Sequence, residues 1–78
     1  MRPKKEQLII TFATTSEAMR MEKYCTAHSI QGRLIPLPAE ISAGCGLAWK
    51  TDPAEQAALI RTLTEDKICW QSMNVLLL

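Results

Sequence analysis

Arg33-Leu34-Ile35-Pro36-Leu37-Pro38-Ala39-Glu40-Ile41-Ser42-Ala43-Gly44-Cys45-Gly46-Leu47-Ala48-Trp49-Lys50 stands midway along a chain of 78 residues. It reads as two short extended runs joined by a loop. Arg33 to Pro36 is the first run; Pro36 lacks a ladder donor, so this strand belongs at a sheet edge or ends at that residue. Gly46 to Lys50 is the second. Between them, Pro36 and Pro38 each fix their own φ and push the residue before them toward extended geometry. Cys45 is bracketed by Gly44 and Gly46, two of the chain's three glycines. Glycine is worth its conformational entropy where backbone takes φ > 0 or a partner approaches closely, so this loop presents a thiol from a shaped turn.

The same two-strand unit is flanked by a helix on each side. Upstream, Gln7 to Ala13 is rich in β-branched and aromatic residues with little polarity on either face, the pattern of a central strand. Thr14-Thr15-Ser16-Glu17 then reads as a capping box, in which a hydroxyl accepts from the N–H three residues on and Glu17 reaches back to the cap. Ala18, Met21, Cys25 and His28 come next at helical steps, widened by Met19 and Tyr24, and the helix stops before Gln31-Gly32. Downstream, Asp52-Pro53-Ala54-Glu55 combines a cap acid, a proline at the first helical position and a glutamate three residues after the cap. This second helix is expected to bury Ala57, Ile60 and Leu63, with Leu59 at the margin, and to end near Glu65 to Lys67. Cys69 to Leu77 alternates as a last strand, with Met73, Val75 and Leu77 on one face and Trp70, Ser72 and Asn74 on the other.

Strand, helix, strand, strand, helix, strand is the split βαβ order of α+β, ferredoxin-like domains: a four-stranded antiparallel sheet in βαββαβ order with two helices on one face. The chain is long enough for one small domain over 1–78, with 1–6 as a flexible lead-in. In that topology the first and third strands are central. The cysteine loop then lies where the first strand hands over to the first helix, which places Cys45 near Thr14, Thr15 and Ser16.

Composition narrows the function classes. Apolar residues are 47% and charged residues 22% of the chain, which is the balance of a folded domain and not of a disordered one. Net charge is +1 and aromatics are 5%, so neither the basic footprint nor the stacking platform of a nucleic-acid binder is visible. No apolar run approaches the ~20 residues that span a bilayer. The basic start has no export signal after it, and three cysteines without a CxxC spacing do not make a disulfide framework. A reducing cytoplasmic setting with free thiols is expected.

A helix N-terminus carries partial positive charge, and a glycine-flanked turn aims further N–H groups into a small anion nest. Both lower a cysteine's pKa, and the thiolate is the form that attacks sulfur or carries it as persulfide. Cys45 is therefore read as a reactive thiol, supported by Gly44, Gly46 and the helix start at Thr14, Thr15 and Ser16. The competing reading is a binding or regulatory module whose loop and helix start hold a small anion while Cys45 merely packs. Cys25 lies on the apolar stripe and is read as core packing. Cys69, opening the last strand at the same end of the sheet, is a candidate resolving thiol, about two strand spacings (~9 to 10 Å) from Cys45. Cys25 and His28 are three apart on a helix, but no further ligand accompanies them, so no metal site and no cofactor are expected.

Leu34 to Ala48 resembles the signature of a small bacterial family of selenium or sulfur carrier-like proteins. Phe12 to Ala18 matches that family's strand-to-helix junction, and Pro36, Pro38, Ile41, Ser42, Cys45 and Gly46 stand where its loop has them. Members also occur fused behind a sulfur-relay domain. The resemblance implies a carrier and not an enzyme, with Cys45 bearing the sulfur or selenium, Ser42 in its supporting loop, and a donor and an acceptor protein as partners. The family commonly has a basic residue directly after the second proline; this chain has Ala39 there. Finally, two helices cover one face of the sheet only. Ile9, Thr11 and Ala13, with Ala48 or Trp49 beside them, suggest an open apolar face for a homodimer or a docked domain.

Overall fold

The computed structural model describes residues 5–38, 41 and 46–77, in which four strands and two helices occur in the expected order. They are β1 (Glu6–Thr11), α1 (Thr15–Ala27), β2 (Arg33–Pro36), β3 (Leu47–Thr51), α2 (Gln56–Glu65) and β4 (Ser72–Leu77). All strand pairs are antiparallel and the sheet order is β2-β3-β1-β4, so β1 and β3 are central and β2 is an edge, as Pro36 requires.

Register decides which side chains meet the helices. Ile10 pairs with Trp49 on one side and Met73 on the other, and Leu8 pairs with Thr51 and Val75. On that face Leu8, Ile10, Phe12 and Trp49 join Ala18, Met21 and Cys25 of α1, Leu59 and Leu63 of α2, and Ile68 in one buried cluster. Both helices therefore cover the same face, which is the α+β arrangement read from the sequence.

The helix-free face differs from expectation. Thr11 pairs with Ala48 and Ser72, and Ile9 with Lys50 and Asn74. Ile9, Thr11 and Ala48 have no exposed surface and Ala13 lies beyond the strand, so these residues do not themselves form an exposed apolar patch. The register sets polar Lys50, Asn74 and Ser72 beside Ile9 and Thr11 on this face, with half-buried Ile35 opposite Ala48 and half-buried Leu76 opposite Gln7. Thr11 Oγ1 is 2.6 Å from Ser72 Oγ, which also accepts from Asn74 Nδ2 at 3.1 Å. The buried hydroxyl is thereby satisfied.

Other boundaries move by a few residues. Glu6 pairs with Leu77, so β1 takes one residue from the expected 1–6 lead-in, and it ends at Thr11 instead of Ala13. Asp52 Oδ1 accepts from Ala54 N at 2.8 Å, which is the cap expected, but Pro53–Glu55 forms a 3-10 turn before α2. A 3-10 turn advances more degrees per residue than an α-helix and so rotates the helix built upon it. Leu59 and Leu63 become the buried residues of α2, while Ala57 and Ile60 are exposed. Trp70 packs against the core cluster instead of sharing the Ser72 and Asn74 face, because β4 starts only at Ser72.

Candidate functional site

At one end of the sheet β1 finishes, α1 starts, β3 starts and the chain returns from α2 toward β4. Thr14 is the extended N-cap of α1, and its Oγ1 accepts from Glu17 N at 3.3 Å while its carbonyl accepts from Ala18 N. The first N–H groups of a helix have no intrahelical acceptor, so those of Thr15 and Ser16 remain there, on two exposed residues. A helix start of this kind carries partial positive charge.

Gly46 borders the same end. Its φ is +76, a conformation that L side chains rarely adopt, and a Cβ on it would meet nothing within 4 Å. Glycine is needed here for backbone conformation and not for space. The Gly46 carbonyl accepts from Leu37 N at 2.9 Å, one step beyond the Pro36–Leu47 pair, so the two ends of the loop are held together. Pro36 is the last residue of β2, and the carbonyl of Pro38 accepts from Ile41 N at 3.0 Å. Thr11 faces Ala48, and continuing this register sets Gly46 level with Ala13, beside the cap Thr14. Cys45, Gly44 and Ser42 lie outside the described residues, as does Ala39.

Cys69 is displaced from its expected role as the first residue of β4 and sits in the turn before it, exposed. Its backbone N–H donates to Glu17 Oε2 at 3.1 Å. Glu17 therefore does not turn back onto its own cap as a capping box would have it. The carboxylate spans to a segment 52 residues away and also accepts from Arg20 Nη1 at 3.4 Å. No local pattern signals such a long-range clamp. Beyond it, Gln71 N donates to the Thr11 carbonyl at 2.7 Å, which extends the hydrogen bonding of β1 with the returning chain. Cys69 opens onto a shallow apolar concavity of about 360 Å³ shared with Leu63, Ile68 and Trp70.

The remaining candidates behave as packing. Cys25 is fully buried, its Sγ 3.9 Å from Met21 Sδ, and burial pushes its thiol up to about 11. It is protonated at neutral pH and belongs to the core. His28 is the C-cap of α1, with its ring stacked on Tyr24 at 4.1 Å. Among the described residues no group of three or more His, Cys, Asp or Glu could hold a metal ion. Nor is any helix among them long and apolar enough to cross a membrane.

Comparison with curated proteins and with solved structures finds no match. A family model described as "Putative Se/S carrier protein-like" matches residues 7–73, from the first residues of β1 into β4 and across the whole cysteine loop, and the chain belongs to that family.

Proposed function

We propose that this protein carries a sulfane sulfur or selenium atom on Cys45 and passes it from a donor protein to an acceptor protein. The observation that supports this most is family membership across the cysteine loop, with Gly46 held at φ +76 beside the start of α1. In this reading the thiolate of Cys45, next in sequence to Gly46, draws on the partial positive charge at the start of α1. In the loading step the Cys45 thiolate attacks the terminal sulfur of a donor persulfide. A sulfur–sulfur bond forms at Cys45, the donor's breaks, and the donor leaves as a thiolate. Delivery is the same exchange in reverse with an acceptor thiol, so no net oxidant is consumed and the protein is a carrier, not an enzyme. In the same reading Cys69, whose backbone N–H donates to Glu17, is the resolving thiol: its thiolate attacks the Sγ of an oxidised or persulfidated Cys45, forming a disulfide and releasing water or hydrosulfide.

Intact mass after incubation with a persulfide-loaded cysteine desulfurase tests the reading. Wild type gains the mass of one sulfur atom, reversibly with thiol reductant, and Cys45→Ser gains nothing. No gain in wild type, or an equal gain in Cys45→Ser, overturns it and leaves the anion-holding module, with Cys45 as packing, as the better account. Alkylation rate against pH is the second test: Cys45 is expected to titrate below the free value of about 8.5, and a midpoint at or above it removes the electrostatic argument.

A further inference from the structure

We propose that the opposite end of the sheet holds a second site, for a small oxyanion of phosphate type carrying two or more negative charges. Where β1 and β2 begin and β3 ends there is a concavity of about 410 Å³, within the range of small-ligand sites. Lys5, Arg33 and Lys50 line it together with Gln7 and Gln31, and Asp52 is the one carboxylate among the described lining residues. Asp52 Oδ1 is engaged by Ala54 N at the helix cap, and no ion pair joins Asp52 to any of the three cations.

The register makes the arrangement costly without a ligand. Arg33 and Lys50 are Cα partners on neighbouring strands, so both point to the same face, and like charges directly opposite one another destabilise a sheet. A cation on an exposed edge strand has an ordinary purpose, since it blocks edge-to-edge pairing. That accounts for Arg33 on β2. It does not account for Lys50, which lies on β3, an interior strand between β2 and β1. A multiply charged anion between the two side chains turns repulsion into a paired clamp, with Lys5 as the third cation and the two glutamines as neutral donors. The floor is fixed, because Thr51 Oγ1 donates to the Gln31 carbonyl at 2.9 Å. Among the described residues no aromatic side chain lines the concavity, and Trp49 faces the helices, so they offer no platform for a nucleobase or a single strand. The recognised group is therefore the phosphate itself.

Amide chemical shifts of the 15N-labelled full chain, titrated with sodium pyrophosphate at constant ionic strength, test the site. Saturable shifts are expected at residues 31–33 and 50–52, with none at 14–17. Inorganic phosphate should shift the same amides more weakly. Lys50→Gln is expected to weaken pyrophosphate by about tenfold, since one charge-assisted contact is lost, and to melt no lower than wild type in anion-free buffer because the repulsion is relieved. Arg33→Gln is the second variant and should show the same weakening. Shifts that rise linearly without saturating, shifts reproduced by chloride alone, or variants that bind pyrophosphate as wild type does would overturn the site. A tighter, length-dependent response to an RNA oligonucleotide would overturn the small-anion assignment.

Discussion

Gly32 and Gly46 both have positive φ, +131 and +76, yet they carry different weights. A Cβ on Gly32 would lie 2.5 Å from Trp49 Nε1 and 2.6 Å from the Lys50 carbonyl, whereas one on Gly46 meets open space. The Trp49 indole is buried and its N–H has no hydrogen-bond partner, so nothing at that position yields cheaply. Gly32→Ala is expected to cost on the order of 3 kcal/mol, combining overpacking with backbone strain, against a total of roughly 4 to 12 kcal/mol for a chain of this size. Gly46→Ala should cost only about 1 kcal/mol, from backbone strain alone. Urea unfolding of both variants checks this; equal losses would mean that the contact at Trp49 does not limit the fold. Cys25 gives a second prediction at this scale. Burial raises its thiol from the ordinary cysteine range to about 11, so the folded chain holds this proton more tightly than the unfolded one. The stability it contributes is complete below pH 9 and is lost as pH rises toward 11, by on the order of 2 kcal/mol. Wild type should therefore lose more stability than Cys25→Ala across that interval, and parallel pH profiles would refute it.

Both helices end in the same way, and both ends are built on residues unsuited to them. Ser29 and Lys67 are left-handed, with φ of 55 and 54. The next N–H groups, of Ile30 and Ile68, bond back to Cys25 and Leu63 at 2.8 and 2.9 Å, the longer loop of a Schellman motif. Ser29→Gly and Lys67→Gly are each expected to stabilise by about 0.5 to 1 kcal/mol, which thermal melts can resolve; a loss in either would mean that the side chain contributes more than its strain. At the other end of α1, Glu17→Ala removes the acceptor of the Cys69 amide. Hydrogen exchange at Cys69 and alkylation of its thiol should both quicken, with little change at Cys25, and unchanged rates would show that the clamp does not order that turn. These elements also show how much the sequence discloses. Caps at Thr14 and Asp52 were legible because a cap is satisfied within three residues of itself. The βαββαβ order was deducible from them and from the proline-marked edge at β2. The phase of α2 was not legible, because a 3-10 turn at Pro53–Glu55 rotates Leu59 inward and Ile60 outward without altering the spacing of apolar residues. The Glu17–Cys69 contact was equally hidden, since only the assembled fold brings the two segments together. At the candidate site Gly46 and the helix start were readable from local chemistry, whereas the tie between the start of α1 and the last connection was not.

For the molecule as a whole the exposed apolar surface lies elsewhere than the pattern of β1 suggested. Ile9, Thr11 and Ala48 are buried on the helix-free face, while Val75 and Leu77 of β4 are 47% and 63% exposed. The two sheet edges are defended unequally. β2 is four residues long and carries Arg33 and Pro36, both of which discourage further strand pairing. β4 is six residues long, Ser72 to Leu77, with no charged residue and no proline, and it has no strand on its outer side among the described residues. An uncharged edge of that length is a template for another strand, and the simplest occupant is β4 of a second copy, antiparallel about a two-fold axis. Such pairing would continue the sheet through both protomers and cover Val75 and Leu77. It would not involve β2 or β3, the strands that flank the cysteine segment in sequence, since both lie on the far side of β1 from β4. Sedimentation should accordingly show a concentration-dependent monomer–dimer equilibrium. Val75→Lys should shift it to monomer, since a like charge then meets its symmetry mate near the axis. Loading of Cys45 by a sulfur donor should be the same for that variant as for wild type. A wild-type chain that stays monomeric at high concentration, or a Val75→Lys variant that dimerises as wild type does, would place self-association away from this edge.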